Sequence, residues 1–373
     1  MSNWYPSLFE KEGRKQQFDD EYLSVALNYG RRLFSEGFPV VFTLAHLANL
    51  TGCSFDQLRS IVSRDTDPYR QFNIKKRAGG FRQIVVPEPH LLRAQRWIHD
   101  NILTQCNVHP CAYGYVKGRG IKQNAVVHCG SNWLIKVDIQ RFFESISERQ
   151  VFRVFKNIGY TNLLSFEFSR LCTRPFHRSR KEKSKRWTNK QPDYKFYNCH
   201  QIGNLPQGAP TSPVLSNLVF YNLDELISKI ALRYGCTYTR YSDDLTFSAV
   251  SLTRDAAKSL ISELSNILSQ NGFRRHSSKT HIIPPGARKI ITGLTVNDDE
   301  PKLTKEFREN IENHLYFIKR YGLSGHCERR GFKSLIGFKH HLQGLIAFAF
   351  SIDEKVGSKY YYEFDTIEWP EGI

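Results

Sequence analysis

The chain has 373 residues, 40% hydrophobic and 13% aromatic, enough for a large core or two to three subdomains. Its formal net charge of +17 opposes compaction by self-repulsion and suits a polyanionic partner. There is no apolar run of about 18 residues and no amphipathic terminal anchor, which argues against a membrane partner.

The opening MSNWYPSLFEKEGRKQQ lacks the apolar stretch of a signal peptide, so a cytoplasmic protein is expected. Residues 1–70 are expected as an N-terminal helical segment, with the helical pattern itself over 19–65. DDEYLSVALNYGRRLF is amphipathic. TLAHLANLTGCSFDQLRSIV reads as helix, turn, helix, with Gly52 in the turn and a Ser54–Gln57 capping box. Such a pair can read DNA, but it is far more often an ordinary packing unit. FNIKKRAGGFRQIVVP, residues 72–87, reads as a hairpin whose arms flank Gly79-Gly80. HLLRAQRWIHDNIL, residues 90–103, is a helix with basic residues on one side.

NWLIKVDI, residues 132–139, is a short apolar strand ending in Asp138. A helix follows, with Ser147 and Gln150 as its capping box. Residues 174–190 hold eight Lys/Arg and one Glu, the composition of a solvated loop or a phosphate grip. Residues 203–226 run from a Gly/Pro-rich loop into a helix, with Ser212 expected as N-cap and Pro213 as first helical residue. TYTRYSDDLTFSA alternates with period two and reads as strand, turn, strand, with Asp243-Asp244 at the tip. A helix over 254–271 and a strand pair over 279–297 come next, and the chain returns to helices from 303. The eight cysteines form no CxxC pair and read as free structural thiols, and the 13 His lack zinc-ligand spacing. With no repeats and no low-complexity linker, the parts are expected to pack as one continuous body.

Adjacent carboxylates repel unless solvated or bridged by a cation. If the Asp138 strand lies beside the hairpin, Asp138 converges with Asp243 or Asp244 at one edge of an antiparallel sheet. That arrangement suits two Mg²⁺ ions, which prefer hard oxygen ligands and serve nucleotidyl transfer. Asp138 alone would read as an ordinary turn residue; the combination carries the signal. In GNLPQGAPTSPVLSNL, Gly208 and Ala209 allow close backbone approach to a ligand, and Gln207 offers an uncharged amide near a base or sugar. Lys76 and Arg82, on opposite arms of the first hairpin, are placed to meet a triphosphate.

These motifs, in this order, resemble the reverse transcriptases, and more closely the bacterial retron type. KKRAGGFRQIVVP, VDIQRFFESI, LPQGAPTSPVLSNL and YSDD carry the likeness over roughly residues 70–350. NAVVH at 124–128 matches the Asn-Ala-x-x-His motif of retron enzymes, and ITG at 291–293 is close to their Val-Thr-Gly. Ser242 departs from the alanine most often found there; serine is nearly isosteric, so polymerisation is expected to survive. The resemblance implies an α+β right-hand polymerase: fingers over 71–130, a palm with an antiparallel sheet over 131–300 with a fingers-side insertion near 150–205, and a helical thumb and tail over 301–373.

It further implies that Asp138, Asp243 and Asp244 bind two Mg²⁺ and carry catalysis. Phe143 would be the gate against a ribose 2′-OH, with Phe142 its buried neighbour. Gln207, Gly208 and Lys279 would join Lys76 and Arg82 around the dNTP. Asn124, His128, Lys319, Arg320, Arg329, Arg330 and Lys333 are candidates for holding RNA, although the basic helix faces suit plain solvation equally. The implied product is multicopy single-stranded DNA, copied from a cognate structured non-coding RNA and primed from a branching guanosine 2′-OH. Anti-phage defence with an effector on a separate chain is part of the same implication. Alternatives at this level are a group II intron-like or abortive-infection reverse transcriptase, a catalytically silent RNA-binding scaffold, and a basic regulator using the 42–62 helix pair. The sequence leaves open whether the tail YYYEFDTIEWPEGI docks on the body or on another protein.

Overall fold

The computed structural model describes residues 4–75, 79–175, 197 and 201–370. Lys76 and the basic run from residue 176 to 190 lie outside the described residues. Four helices come first: α1 (Pro6–Lys15), α2 (Asp20–Ser35), α3 (Leu44–Thr51) and α4 (Phe55–Ser63). The sequence pattern missed α1, whose Pro6 sits at the tolerated first position. Gly52 ends α3 in the left-handed conformation at φ 62°. Ser54 stands at the N-cap of α4, but its side chain makes no capping bond, so the capping box expected there does not form. Leu44, Leu47, Leu58, Ile61 and Val62 are buried in the main core, so the helix pair is built as a packing unit.

An antiparallel hairpin follows, β1 (Tyr69–Lys75) and β2 (Phe81–Pro87), registered from Tyr69↔Pro87 to Lys75↔Phe81. Next come α5 (Pro89–Asn101), α6 (Ile121–Val126), β3 (Trp133–Asp138) and the single turn α7 (Phe142–Ser145). Helices α8 (Glu148–Ile158) and α9 (Asn162–Cys172) lead to a short pair, β4 (Arg174–Pro175) and β5 (Gly203–Asn204). The Ser147–Gln150 capping box opens α8 as expected. Helix α10 (Ser212–Arg233) has Thr211 at its N-cap, one residue earlier than expected. Ser212 instead donates its hydroxyl to the Pro206 carbonyl at 2.8 Å.

Strands β6 (Thr237–Tyr241) and β7 (Asp244–Ala249) precede α11 (Arg254–Gln270) and β8 (His281–Ile283). The central sheet has the order β6-β7-β3-β8, antiparallel throughout. The expected strand pair over 279–297 is not formed as such. Strand β8 joins the central sheet, and a second sheet of order β11-β10-β9 holds β9 (Ile290–Ile291), β10 (Leu294–Thr295) and β11 (Lys302–Leu303). Pro284-Pro285 supply no N–H for a ladder, which ends β8 there.

The chain ends in α12 (Lys305–Tyr321), α13 (Leu323–Arg329), α14 (Leu335–Ile352) and α15 (Glu354–Asp365). They bury a second apolar cluster that also takes in Leu134, Ala125 and the small sheet. Tyr360 and Phe364 are buried, Tyr360 donates to Glu312 Oε1 at 2.8 Å, and Trp369 packs against Phe364 and Phe338. The described part of the tail therefore docks on the body. Among the described residues no helix is long and apolar enough to cross a membrane.

Candidate active site

Strand β3 is apolar on both phases, with Leu134, Ile135 and Val137 buried, and it takes a central place in the sheet. Its last residue, Asp138, is the cross-strand partner of Asp244, the first residue of β7. Asp243 shares a two-residue connection with Ser242, which holds φ at 60°. Asp244 is thus in the strand rather than on the tip. The Ile139 N–H donates to the Asp243 carbonyl at 3.0 Å and carries the pairing past the strand end. Register and turn together bring the three carboxylates to one end of the sheet.

Burial, then the charges of Asp244 and Asp138, raise the pKa of Asp243. Asp244 is raised by burial and by Asp138, against the pull of Lys136 and Lys279. Lys279, from the short 3₁₀ turn Ser277–Lys279, donates Nζ to Asp138 Oδ2 at 2.7 Å, and that bond raises its own pKa. Among the described residues no three or more His, Cys, Asp or Glu side chains close into a metal-binding cluster. The donor set still fits Mg²⁺, which binds through one or two carboxylates and takes its remaining oxygens from water and phosphate.

Phe143 is half-buried beside this end of the sheet, with ring centroids 5.6 Å from Phe142 and 6.3 Å from Tyr115. Phe142 is buried against Phe220 and Phe273, as expected of the inner aromatic. Tyr115 was not singled out by the sequence reading. It holds φ at 62°, is 47% exposed, and lies 3.4 Å from the Ser242 hydroxyl through its own. The aromatic pair around Gly114 in Tyr113-Gly114-Tyr115 is the signal that could have found it.

Gln207 and Gly208 face the first hairpin. The Val85 N–H donates to the Gln207 carbonyl at 2.8 Å. Gly208 has φ 123°, and a Cβ there would stand 2.8 Å from the Val85 carbonyl oxygen and 2.9 Å from Ile84. The small side chain expected to admit a ligand admits β2. Arg82 is exposed on β2, opposite Ile74; its expected partner Lys76 lies outside the described residues.

The RNA candidates divide. His128 and Asn124 are buried at 0% and 1% exposure, which takes both off any nucleic-acid surface. His128 sits behind the sheet, with Nδ1 2.7 Å from Ser248 Oγ and Nε2 2.7 Å from Thr239 Oγ1. Lys319, Arg320, Arg329, Arg330 and Lys333 are exposed. Arg320 donates to Tyr316 Oη at 2.7 Å, and the guanidinium groups of Arg320 and Arg329 lie 5.6 and 5.9 Å from the Tyr321 ring. In the Ile291-Thr292-Gly293 motif, Ile291 is buried and the next two residues make a tight turn at φ 45° and 90°.

Residues 74–298, which contain all three aspartates, match the family model of the reverse transcriptases, RNA-dependent DNA polymerases. The chain belongs to this family. Among curated relatives, the retron Mx162 reverse transcriptase of Myxococcus xanthus is 35% identical over 263 residues, 67% of this chain and 52% of that protein. The retron Ec86 reverse transcriptase of Escherichia coli is 29% identical over 87% of this chain and 89% of its own length. The retron Mx65 reverse transcriptase of M. xanthus is 31% identical, covering 84% and 69%. Within the family the chain is of the bacterial retron type. The match to Mx162 spans about half that protein's length. In this retron-type reverse transcriptase the family match ends at residue 298, before α12, so the exposed basic residues of α12 and α13 lie beyond it.

Proposed function

We propose that this chain is the RNA-directed DNA polymerase of a retron. It copies a structured non-coding RNA into multicopy single-stranded DNA, starting from the 2′-OH of a branching guanosine in that RNA. It acts in the cytoplasm, in anti-phage defence alongside an effector on a separate chain. The observation that carries the reading is the register pairing of Asp138 with Asp244, with Asp243 in the adjoining turn, in a chain of retron type.

On this reading residues 71–130 are fingers, 131–300 the palm with its insertion near 150–205, and 301–373 the thumb and tail. Asp138, Asp243 and Asp244 would hold two Mg²⁺ ions, which when bound lower the pKa of the primer hydroxyl and neutralise charge on the triphosphate. The hydroxyl oxygen forms a bond to the α-phosphorus, pyrophosphate leaves, and the proton passes to solvent. Lys279 balances Asp138 before the nucleotide arrives and turns to the triphosphate with Lys76 and Arg82. Phe143 blocks a ribose 2′-OH. Gln207 and Gly208 line the nucleotide's floor, held there by β2. Lys319, Arg320, Arg329, Arg330 and Lys333 grip RNA through its phosphates.

The test is purification from bacteria carrying the native upstream DNA, with extraction of bound nucleic acid and separate RNase and DNase treatment. The wild type is expected to yield a discrete single-stranded DNA that shortens with RNase. The Asp243→Ala/Asp244→Ala variant is expected to yield none. Bound RNA without DNA in both samples would overturn the reading in favour of an RNA-binding scaffold.

A further inference from the structure

Behind the turn that carries Asp243 lies a charged pair that the mechanism above does not use. Arg240 and Asp224 are both fully buried. Arg240 Nε and Nη2 donate to Asp224 Oδ1 at 2.9 Å and Oδ2 at 2.7 Å, a two-pronged pairing. Its Nη1 donates to two further oxygens, Asn217 Oδ1 at 3.0 Å and the backbone carbonyl of Ser242 at 3.1 Å. Asn217 donates in turn to the Gly114 carbonyl at 2.9 Å. A Cβ on Gly114 would stand 2.7 Å from the Ser242 backbone nitrogen. The Phe220 ring covers the guanidinium at 4.6 Å.

Burying two charges is a weak route to stability, because desolvation cancels much of the attraction. What the pair does supply is direction. The Ser242 carbonyl belongs to the peptide plane between Ser242 and Asp243. Fixing that oxygen fixes the plane, and the plane sets where the Asp243 side chain leaves the backbone. The turn needs such help, since Ser242 holds φ at 60° without being glycine. Only a planar guanidinium can serve Asp224, Asn217 and the carbonyl at once; a lysine ammonium has one nitrogen and cannot span them.

We propose that Arg240, oriented by Asp224 and Asn217, is a positioning residue that clamps the Ser242 carbonyl and so aims Asp243. This rests on the polymerase reading. The test compares wild type, Arg240→Lys, Tyr238→Phe and the double variant Arg240→Met/Asp224→Leu. Tyr238 Oη donates to Asp224 Oδ1 at 2.8 Å, so Tyr238→Phe disturbs the same buried network without touching the turn. Three quantities are read: steady-state kinetics on a primed RNA template, the Mg²⁺ dependence of the rate, and the Mg²⁺ concentration that raises Tm.

Arg240→Lys is expected to lose kcat by about 100-fold with KM for dNTP nearly unchanged, the signature of misaimed rather than missing groups. It is also expected to need about tenfold more Mg²⁺ in both the kinetic and the melting assay. Tyr238→Phe is expected to match wild type in all three. The double variant leaves no unpaired buried charge, but Tyr238 Oη, Asn217 Oδ1 and the Ser242 carbonyl lose partners; it is expected to fold, melt below wild type and keep the kinetic and Mg²⁺ defects. It carries the test if Arg240→Lys does not fold. An active wild type whose Arg240→Lys and double variants keep its Mg²⁺ dependence would overturn the clamp, as would equal defects in Tyr238→Phe. An inactive wild type would instead overturn the polymerase reading.

Discussion

Phe143 stands half-buried between Phe142 and Tyr115, and Tyr115 in turn reaches Ser242 in the turn beside the aspartates. On the proposed polymerase reading, truncation at this position would leave room beside the ribose. Phe143→Ala is expected to reduce discrimination between dNTP and rNTP by at least about tenfold, read as the ratio of kcat/KM values. Unchanged discrimination would place the gate elsewhere, and Tyr115 is the neighbour to try next. His128 lies behind the same strands, and burial pushes its pKa down to about 4 from 6.5. Between those values the unfolded chain takes up a proton that the folded one refuses. The stability contributed by the neutral ring is therefore complete above pH 6.5 and is lost as pH falls toward 4. Going from pH 7 to pH 5, the wild type is expected to lose about 2 kcal/mol more than His128→Asn in urea unfolding. Equal losses in the two proteins would mean that this ring does not titrate as described.

The first hairpin depends on a single missing side chain. Gly208 combines φ 123° with a Cβ position 2.8 Å from the Val85 carbonyl, so Gly208→Ala meets backbone that cannot swing aside. The variant is expected to lose about 2 kcal/mol of stability. On the proposed reading it is also expected to raise KM for dNTP more than it lowers kcat, because β2 would carry Arg82 away from the triphosphate. A melting and kinetic comparison checks both, and a stable variant with normal KM would uncouple the hairpin from nucleotide binding. At this scale the sequence was most legible where period and punctuation agreed. The alternation of TYTRYSDDLTFSA, the strands flanking Gly79-Gly80 and the Ser147–Gln150 box each became the element expected. It was least legible where partners lie far apart along the chain. Pro284-Pro285 were the warning that 279–297 could not be one strand pair. His128 ends the short motif NAVVH, and nothing local tells that its polar partners are the buried hydroxyls of Thr239 and Ser248. Arg240 had left a trace, as a charge on the same phase as Tyr238, Leu245 and Phe247.

Across the whole molecule, Glu148 ties segments that are distant in sequence. Its carboxylate takes Arg64 at 2.6 Å, Arg170 at 2.7 Å and the Gly203 N–H at 2.8 Å, joining α4, α8, α9 and β5. Burial pushes this carboxyl up, and Arg64 and Arg170 overcome it and leave it below its ordinary value. Glu148→Gln would remove the buried negative charge that Arg64 and Arg170 share. It is expected to cost about 3 kcal/mol in chemical unfolding, and a loss below about 1 kcal/mol would mean the pair finds other partners. Strand β3 spans both apolar clusters, with Leu134 in one and Ile135 and Val137 in the other. Its pairing with β7 is what places Asp138 opposite Asp244. The spacing of those carboxylates is thus measured by a ladder of hydrogen bonds, while about a hundred residues of chain run between them. Evolution can lengthen or shorten the stretch between β4 and β5 without disturbing that ladder, whereas one residue gained or lost inside either strand turns an aspartate to the wrong side. Insertions should accordingly gather between residues 172 and 203 in related chains and be purged from β3 and β7.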